Sequence, residues 1–309
     1  MKAYVGVTDS RWSSFLATRP YLNEVNFWVP GGGPRAWRVT APNDVVLFKS
    51  KAPSNVIVGG GIHTDYRQLP VSLAWDVWGE GNGAGSLEEM RQLIGLNRHA
   101  PIAHSEDPVV GCLMLRDVAF FDESEPMSAP ENFAANIVSG KGYALRPGGT
   151  SAVELAVARL LDGRASMSEV RMDRQEVEFA PRLVWGRLGQ ESFKASVAAA
   201  YGLRCAITGA KILPVLQAAH IKSVAAGGQH SVDNGLLLRA DVHVMFDRGL
   251  LGVHPTTANL QVSSLLRSTF GNGEEFYQRA GQPITLPARL SDRPNREFLT
   301  WHMDEVFTT

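Results

Sequence analysis

Residues 205–252 read CAITGAKILPVLQAAHIKSVAAGGQHSVDNGLLLRADVHVMFDRGLLG. Leu213–Ile221 can form a strand, Ala225–Asn234 is a Gly-rich polar loop, and Leu236-Leu237-Leu238 form a second strand. Asp241 to Arg248 suits a short helix, with Asp241 as its expected cap and Gly249 as its stop. Two strands, a loop and a helix place His220 at the end of the first strand, opposite His243 on the helix. His243 and Asp247 are four residues apart and so share one helical face. Such a pair can hold one divalent metal, with His220 in reach of a water beside it.

Phosphodiester hydrolysis needs these parts. A base must take a proton from water near neutral pH, which histidine does at its ordinary pKa. A metal must neutralise charge on the phosphate and on the leaving oxygen. A polar residue must fix the connecting loop, and Asn234 can do so through side-chain to backbone hydrogen bonds. Each residue alone has a plainer reading. One histidine among eight is a structural or surface residue, Asn234-Gly235 is a turn, and Asp247 is an ion-pair partner. His230 reads as solvent-exposed or phosphate-touching, and His254 and His302 as structural. The joint spacing carries the chemistry: 14 residues from His220 to Asn234 and 9 more to His243.

This segment resembles the HNH endonuclease family with its ββα-metal finger. The resemblance rests on Ala219-His220-Ile221, Gly227-Gly228, Asn234-Gly235-Leu236-Leu237-Leu238 and Asp241 to Gly249, with a Cys205-x-x-Thr208-Gly209 opening. It implies His220 as general base, Asn234 as the loop-orienting residue, His243 as a metal ligand and Asp247 as a second helical ligand. Ala219 departs from the family, since many members carry Asp or His there as a ligand. The zinc-knuckle cysteine pairs are also missing. One Mg²⁺ or Mn²⁺ per finger is therefore expected, with water or substrate phosphate filling more of its shell.

Composition bounds the rest. The chain has 309 residues, 30 Lys and Arg against 31 Asp and Glu, a formal net charge of -1 and 44% hydrophobic residues. These values exclude a disordered chain, a histone-like basic protein and an acidic tail protein. No apolar run approaches the roughly 20 residues of a membrane helix, and MKAYVGVTDSRW is no signal peptide, so a soluble, cytosolic protein is expected. Cys112 and Cys205 cannot build a disulfide framework. Near-neutrality overall hides a local excess: between residues 181 and 260 eight Lys and Arg face four acids. A locally basic stretch can bind a phosphate backbone, and Arg187, Lys222, Arg239 and Arg248 are its candidate contacts.

The first 145 residues have another character. Five of the seven tryptophans lie in the first 80 residues. Strands are expected at 4–8, 44–49, 55–58, 62–63, 109–115, 118–121 and 136–138, with a turn at Asp9-Ser10 and a helix from the Ser86 cap to about Leu96. Many short strands suggest a small β-barrel. Tyr4-Val5-Gly6-Val7-Thr8-Asp9, Val25-Asn26-Phe27-Trp28 and Asn43 to Gly59 resemble the PUA-like superfamily, most of all its EVE branch. Related barrels bind modified cytosine flipped from the duplex, and EVE-HNH fusions are modification-dependent restriction enzymes. A flipped base needs flat walls and polar edge contacts. Trp12, Trp28 and Trp75 are candidate walls, and Asn26, Asp9 and Ser50 candidate edge contacts. Each tryptophan also has a core reading, and Trp37 and Trp78 are assigned to core or surface. The glycine runs at 31–33 and 59–61 lack the context of a nucleotide site.

An amphipathic helix is expected over Val153, Leu155, Ala156, Leu160 and Leu161, stopped by Gly163. A charged linker follows at 164–181, then a helix over 190–201 with Phe193, Val197 and Ala200 on one face. The expected fold class is α+β: a PUA-like (EVE- or SRA-like) β-barrel at 1–145, helix and linker at 146–181, and an HNH ββα-metal domain with surrounding helices at 182–309. The expected activity is a DNA endonuclease acting on double-stranded DNA that carries 5-methylcytosine or 5-hydroxymethylcytosine, a homodimer at least on DNA. A barrel that reads unmodified sequence, and a non-catalytic nucleic-acid-binding protein, are the alternatives.

Overall fold

The computed structural model describes residues 2–31, 37–122, 124–134, 136–146, 149–173 (backbone alone from 163) and 189–309. Arg187 and the second half of the expected linker lie outside the described residues. The chain divides into two compact units, Met1–Ser192 and Phe193–Thr309.

Unit 1 runs β1 (Lys2–Thr8), α1 (Ser10–Ala17), β2 (Glu24–Val29), β3 (Val45–Ser50), β4 (Val56–Pro70), α2 (Val71–Trp78), α3 (Leu87–Arg98), β5 (Val109–Phe120), β6 (Met127–Ser128), β7 (Gly140–Ala144) and α4 (Ala152–Asp173). The seven strands form one sheet in the order β2-β5-β4-β3-β1-β7, with β6 also on β4. β1 and β3 are parallel, and the other pairs are antiparallel. β2 and β7 are the edges, so the described sheet is open and the expected closed barrel does not form.

The difference has a physical source. Each pair of expected short strands around the glycine run and around Asp117 is one long strand, β4 and β5. Gly59-Gly60-Gly61 lie inside β4 because the neighbouring strands approach closely there: a Cβ on Gly60 would stand 2.7 Å from the carbonyl oxygen of Val46. The Asp9-Ser10 turn is a helix start, with the Asp9 carboxylate accepting from Arg11 N. The expected strand at 136–138 is absent, and β7 forms just after it.

Period-2 alternation divides the core between the two faces of the sheet. Ala3, Val5, Val45, Leu47, Ile57 and Ile62 face one side, where Val153, Ala156, Val157 and Leu160 of α4 cover them. That i, i+3, i+4, i+7 spacing is the buried stripe of an amphipathic helix. Full burial of each such aliphatic side chain contributes about 1.5–3 kcal/mol. Leu155 and Leu161, expected on the same face, are exposed. Nor does Gly163 stop the helix, which continues to Asp173; an interior glycine costs only about 1 kcal/mol against alanine. Tyr4, Val46, Phe48, Trp12, Leu16, Val25, Leu113 and Leu115 fill the other face. β3 is buried along its whole length because both of its faces are covered.

Unit 2 takes up α5 (Gln190–Ala200) from Phe193 on, then β8 (Leu216–His220), β9 (Gly235–Arg239), α6 (Ala240–Asp247), β10 (Leu251–Val253), β11 (Leu260–Val262), α7 (Leu265–Ser268), α8 (Glu274–Tyr277) and α9 (Arg296–Glu305). β8 and β9 pair antiparallel, with His220 opposite Gly235. Besides the expected surrounding helices, the segment after the finger contains the β10–β11 hairpin.

α9 docks on α6 through a histidine. His302 is 2% exposed and stacks on Phe246, ring centroids 3.7 Å apart. Its Nε2 lies 3.0 Å from the Phe246 carbonyl oxygen, so Nε2 carries the proton and donates. Burial pushes its pKa down to about 4, against the smaller upward pull of that hydrogen bond. The folded state therefore holds His302 neutral where the unfolded chain, at about 6.5, takes up a proton. Stability contributed by the neutral ring is present above pH 6.5 and is lost as pH falls towards 4, by up to about 3 kcal/mol. Urea midpoints measured from pH 7 to pH 4.5 should fall, and His302→Phe should flatten that fall. An equally steep fall in the variant would assign the acid sensitivity to other groups.

Candidate active site

β8 and β9 turn around a loop that one side chain closes. Asn234 is fully buried at the foot of β9. Its Oδ1 accepts from Lys222 N at 2.9 Å, and its Nδ2 donates to the carbonyl oxygens of Lys222 and Gln229, both at 2.9 Å. The Asn234 carbonyl accepts from Ile221 N at 2.9 Å. One amide thus ties the residues just after His220 to the residue just before His230.

His220 ends β8, half-buried, with the Phe193 ring stacked on it at 4.0 Å. Its Nε2 lies 3.1 Å from Nδ1 of His230. Burial lowers its pKa to about 4, helped by the charges of His230 and His243. His220 is therefore neutral throughout the neutral range, and the same burial makes it a weaker base than a free imidazole. Ala219 is fully buried, and its side chain is a bare methyl group. No ligand can come from that position.

α6 supplies the second group. Its N-cap is Arg239, without a side-chain cap bond. Asp241 stands in the first turn instead of at the cap and accepts from Arg239 at 2.6 and 2.7 Å. The hydrogen bonds from Arg239 hold the Asp241 carboxyl below its usual range. Gly249 follows the helix in the left-handed region, φ 69°, as a stop requires. Along the outer face, His243 Nε2 lies 3.3 Å from Asp247 Oδ2, and His243 Nδ1 lies 2.8 Å from Gln217 Oε1 on β8. What burial Asp247 has raises its pKa, and His243 pulls it back.

Among the described residues no group of three His, Cys, Asp or Glu side chains converges to hold a metal. The His243–Asp247 pair nevertheless fits an ion that takes most of its shell from water and phosphate, as Mg²⁺ does. Adjacent ligands at about 2.1 Å on an octahedral ion stand about 3 Å apart, close to the separation observed.

Of the expected phosphate contacts, Lys222 lies over the Trp301 ring at 5.6 Å and Arg248 is exposed. Arg239 is occupied: besides Asp241 it holds Glu275 at 3.0 Å, and these partners raise its pKa. It is an ion-pair residue, not a free phosphate contact.

The residues expected to form a base pocket in unit 1 do not line one cavity. Trp12 is 3% exposed and wedged edge-on against Phe27 and Phe48, so its faces are covered by core. Asn26 is fully buried and donates to Asn82 Oδ1 at 3.0 Å and to Cys112 Sγ at 3.4 Å. Ser50 is buried and bonded to the backbone of Val56. Asp9 caps α1 and pairs with Lys51 at 3.4 Å. Trp28 is half-buried and donates from Nε1 to the Asn82 carbonyl at 2.9 Å, and Trp75 is half-buried on α2. Only Asn26 and Trp28 come together, and they do so around Asn82.

Sequence reasoning missed Gln217, His230, Phe193 and Asn82. For His230 a signal existed, because a loop closed by Asn234 must return its last residues towards His220. For the other three the sequence carries none.

No curated protein matches the chain. Among solved structures it is similar to the crystal structure of ASCH from Zymomonas mobilis, with 12% identity, a TM-score of 0.32 and coverage of 47% of this chain and 89% of that one. A point mutant of that protein gives the same identity and TM-score, covering 47% and 91%. Residues 205–254, which hold His220, Asn234, His243 and Asp247, match the HNH endonuclease family, and with that domain the chain is a nuclease, a DNA phosphodiester hydrolase.

Proposed function

We propose that the nuclease domain hydrolyses DNA with one divalent ion, Mg²⁺ or Mn²⁺, held by His243 and Asp247, and with His220 as general base. The observation that carries this reading is the His243–Asp247 pair at 3.3 Å on α6, with the His220 imidazole at the end of β8. When bound, the ion neutralises charge on the scissile phosphate and the leaving oxygen. His220 takes a proton from the attacking water. Gln217 fixes the His243 ring by its hydrogen bond to Nδ1. Asn234 keeps the loop closed, and Lys222 and Arg248 meet the phosphate backbone. One finger cuts one strand, so a double-strand break takes two protomers assembled on DNA.

Unit 1 we assign as the reader, a PUA-like domain for 5-methylcytosine or 5-hydroxymethylcytosine, with domain limits at 1–145 and 182–309. Half-buried Trp28 and Trp75 support it as remaining stacking surfaces. The core positions of Trp12, Asn26 and Ser50 favour the second reading, a domain that senses unmodified sequence. Three copies of one plasmid, unmodified, methylated and hydroxymethylated, separate the two. We expect cutting of the modified copies alone, in Mg²⁺ or Mn²⁺, stopped by EDTA. Equal cutting of all three moves unit 1 to the second reading, and cutting that persists in EDTA removes the metal from the proposal.

A further inference from the structure

Two imidazole nitrogens 3.1 Å apart share one proton, and where it sits decides what His220 can do. If it sits on His230 Nδ1, neutral His220 must carry its own proton on Nδ1, and neither nitrogen can accept another. If it sits on His220 Nε2, the Nδ1 lone pair is open. No hydrogen bond among the described residues engages Nδ1 of His220, and the residue is half-buried.

We propose that His230 is the positioning residue for the base: it accepts the Nε2 proton of His220 and so leaves Nδ1 to take the proton of the attacking water. The proposal rests on His220 acting as the base. In the step, the water O–H bond breaks and an Nδ1–H bond forms. The Nε2 proton stays in place, and its bond to His230 becomes charge-assisted as the His220 ring turns cationic.

Geometry supports this arrangement from three directions. Phe193 stacks flat on His220, 10° between planes, and fixes the ring's plane. His230 meets that ring edge-on, 68° between planes and 5.0 Å between centroids, which brings its Nδ1 to the Nε2 edge. The Asn234 amide clamps the backbone beside both histidines, at Lys222 and at Gln229. The loop between two strands thus delivers a second imidazole to the first, as the third member of a triad orients its base.

The test reads the proton directly. In metal-free full-length protein labelled with ¹⁵N at histidine, the couplings between ring nitrogens and carbon-bound protons identify the tautomer, and His220→Gln assigns the His220 signals. Wild-type His220 should be protonated at Nε2, and His230→Ala should leave it exchanging between tautomers. The same substitution should lower kcat for plasmid nicking by about 10²-fold with KM for DNA unchanged. His230→Gln, whose amide oxygen can still accept, should keep the Nε2–H tautomer and recover most of kcat. A wild-type His220 protonated at Nδ1 overturns the proposal on its own, whether or not any variant folds. So does a His230→Ala protein with wild-type tautomer and kcat. If the wild-type protein cuts no DNA, the proposed function fails, while the tautomer still reports whether His230 sets the ring.

Discussion

With His220 replaced by alanine, DNA cleavage should fall by about 10²- to 10⁴-fold while DNA binding survives. The loss follows from geometry and protonation together. His220 is the half-buried imidazole at the end of β8, and its burial keeps it neutral across the neutral range. Its neighbour cannot substitute, because His230 is directed at His220 through its own Nδ1. The protein should stay folded. The ring is half-buried, and the clamp beside it uses the backbone of Lys222. Single-turnover nicking of supercoiled plasmid reads the chemistry, and a gel shift without metal reads binding. Undiminished nicking by the variant would remove His220 as base.

Asn234→Ala should destabilise unit 2 by about 3–5 kcal/mol and abolish nicking as a consequence. Three hydrogen bonds disappear at once, to Lys222 N, Lys222 O and Gln229 O. Leaving a buried backbone group unsatisfied costs about 1–3 kcal/mol, and alanine offers no replacement. Asn234→Asp is the sharper control. It keeps the acceptor for Lys222 N but sets a carboxylate against two carbonyl oxygens, so it too should destabilise. Urea unfolding followed by hydrogen exchange of the unit 2 amides gives the numbers. A cost below about 1 kcal/mol for Asn234→Ala would mean that the loop closes by other means.

The nuclease half of the molecule was largely legible in the sequence because its information is local. Between His220 and Asp247 the strands, loop and helix are contiguous, and fixed spacing turns into fixed geometry. Unit 1 was less legible because its decisive pairings are long-range. Nothing local in Gly59-Gly60-Gly61 says that the strand runs straight through them; the approach of Val46 from a neighbouring strand does. Nothing local separates a tryptophan on a pocket wall from Trp12, which is covered by Phe27 and Phe48. Asn26 misled for the same reason. Its amide reads as an edge contact in isolation and as a link to Asn82 once β2 and the turn after α2 are both in place. His230 lies between these cases, since the loop that returns it is visible and its partner is not.

A sheet that does not close has borders, and unpaired strand edges invite other chains to add to them. The two borders here are defended by different means. β7 is five residues long and holds two glycines and Lys141, whose ammonium bonds the Asn132 carbonyl at 2.8 Å. A short, charged, flexible strand is a poor template. β2 reads EVNFWV, with no lysine or proline, but its first three residues are buried and the turn after α2 packs on it: Gly81 lies against the Glu24 carbonyl, and the Asn82 carbonyl accepts from Trp28. One border is thus blunted by shortness and charge, and the other is guarded only while the turn after α2 stays packed on it.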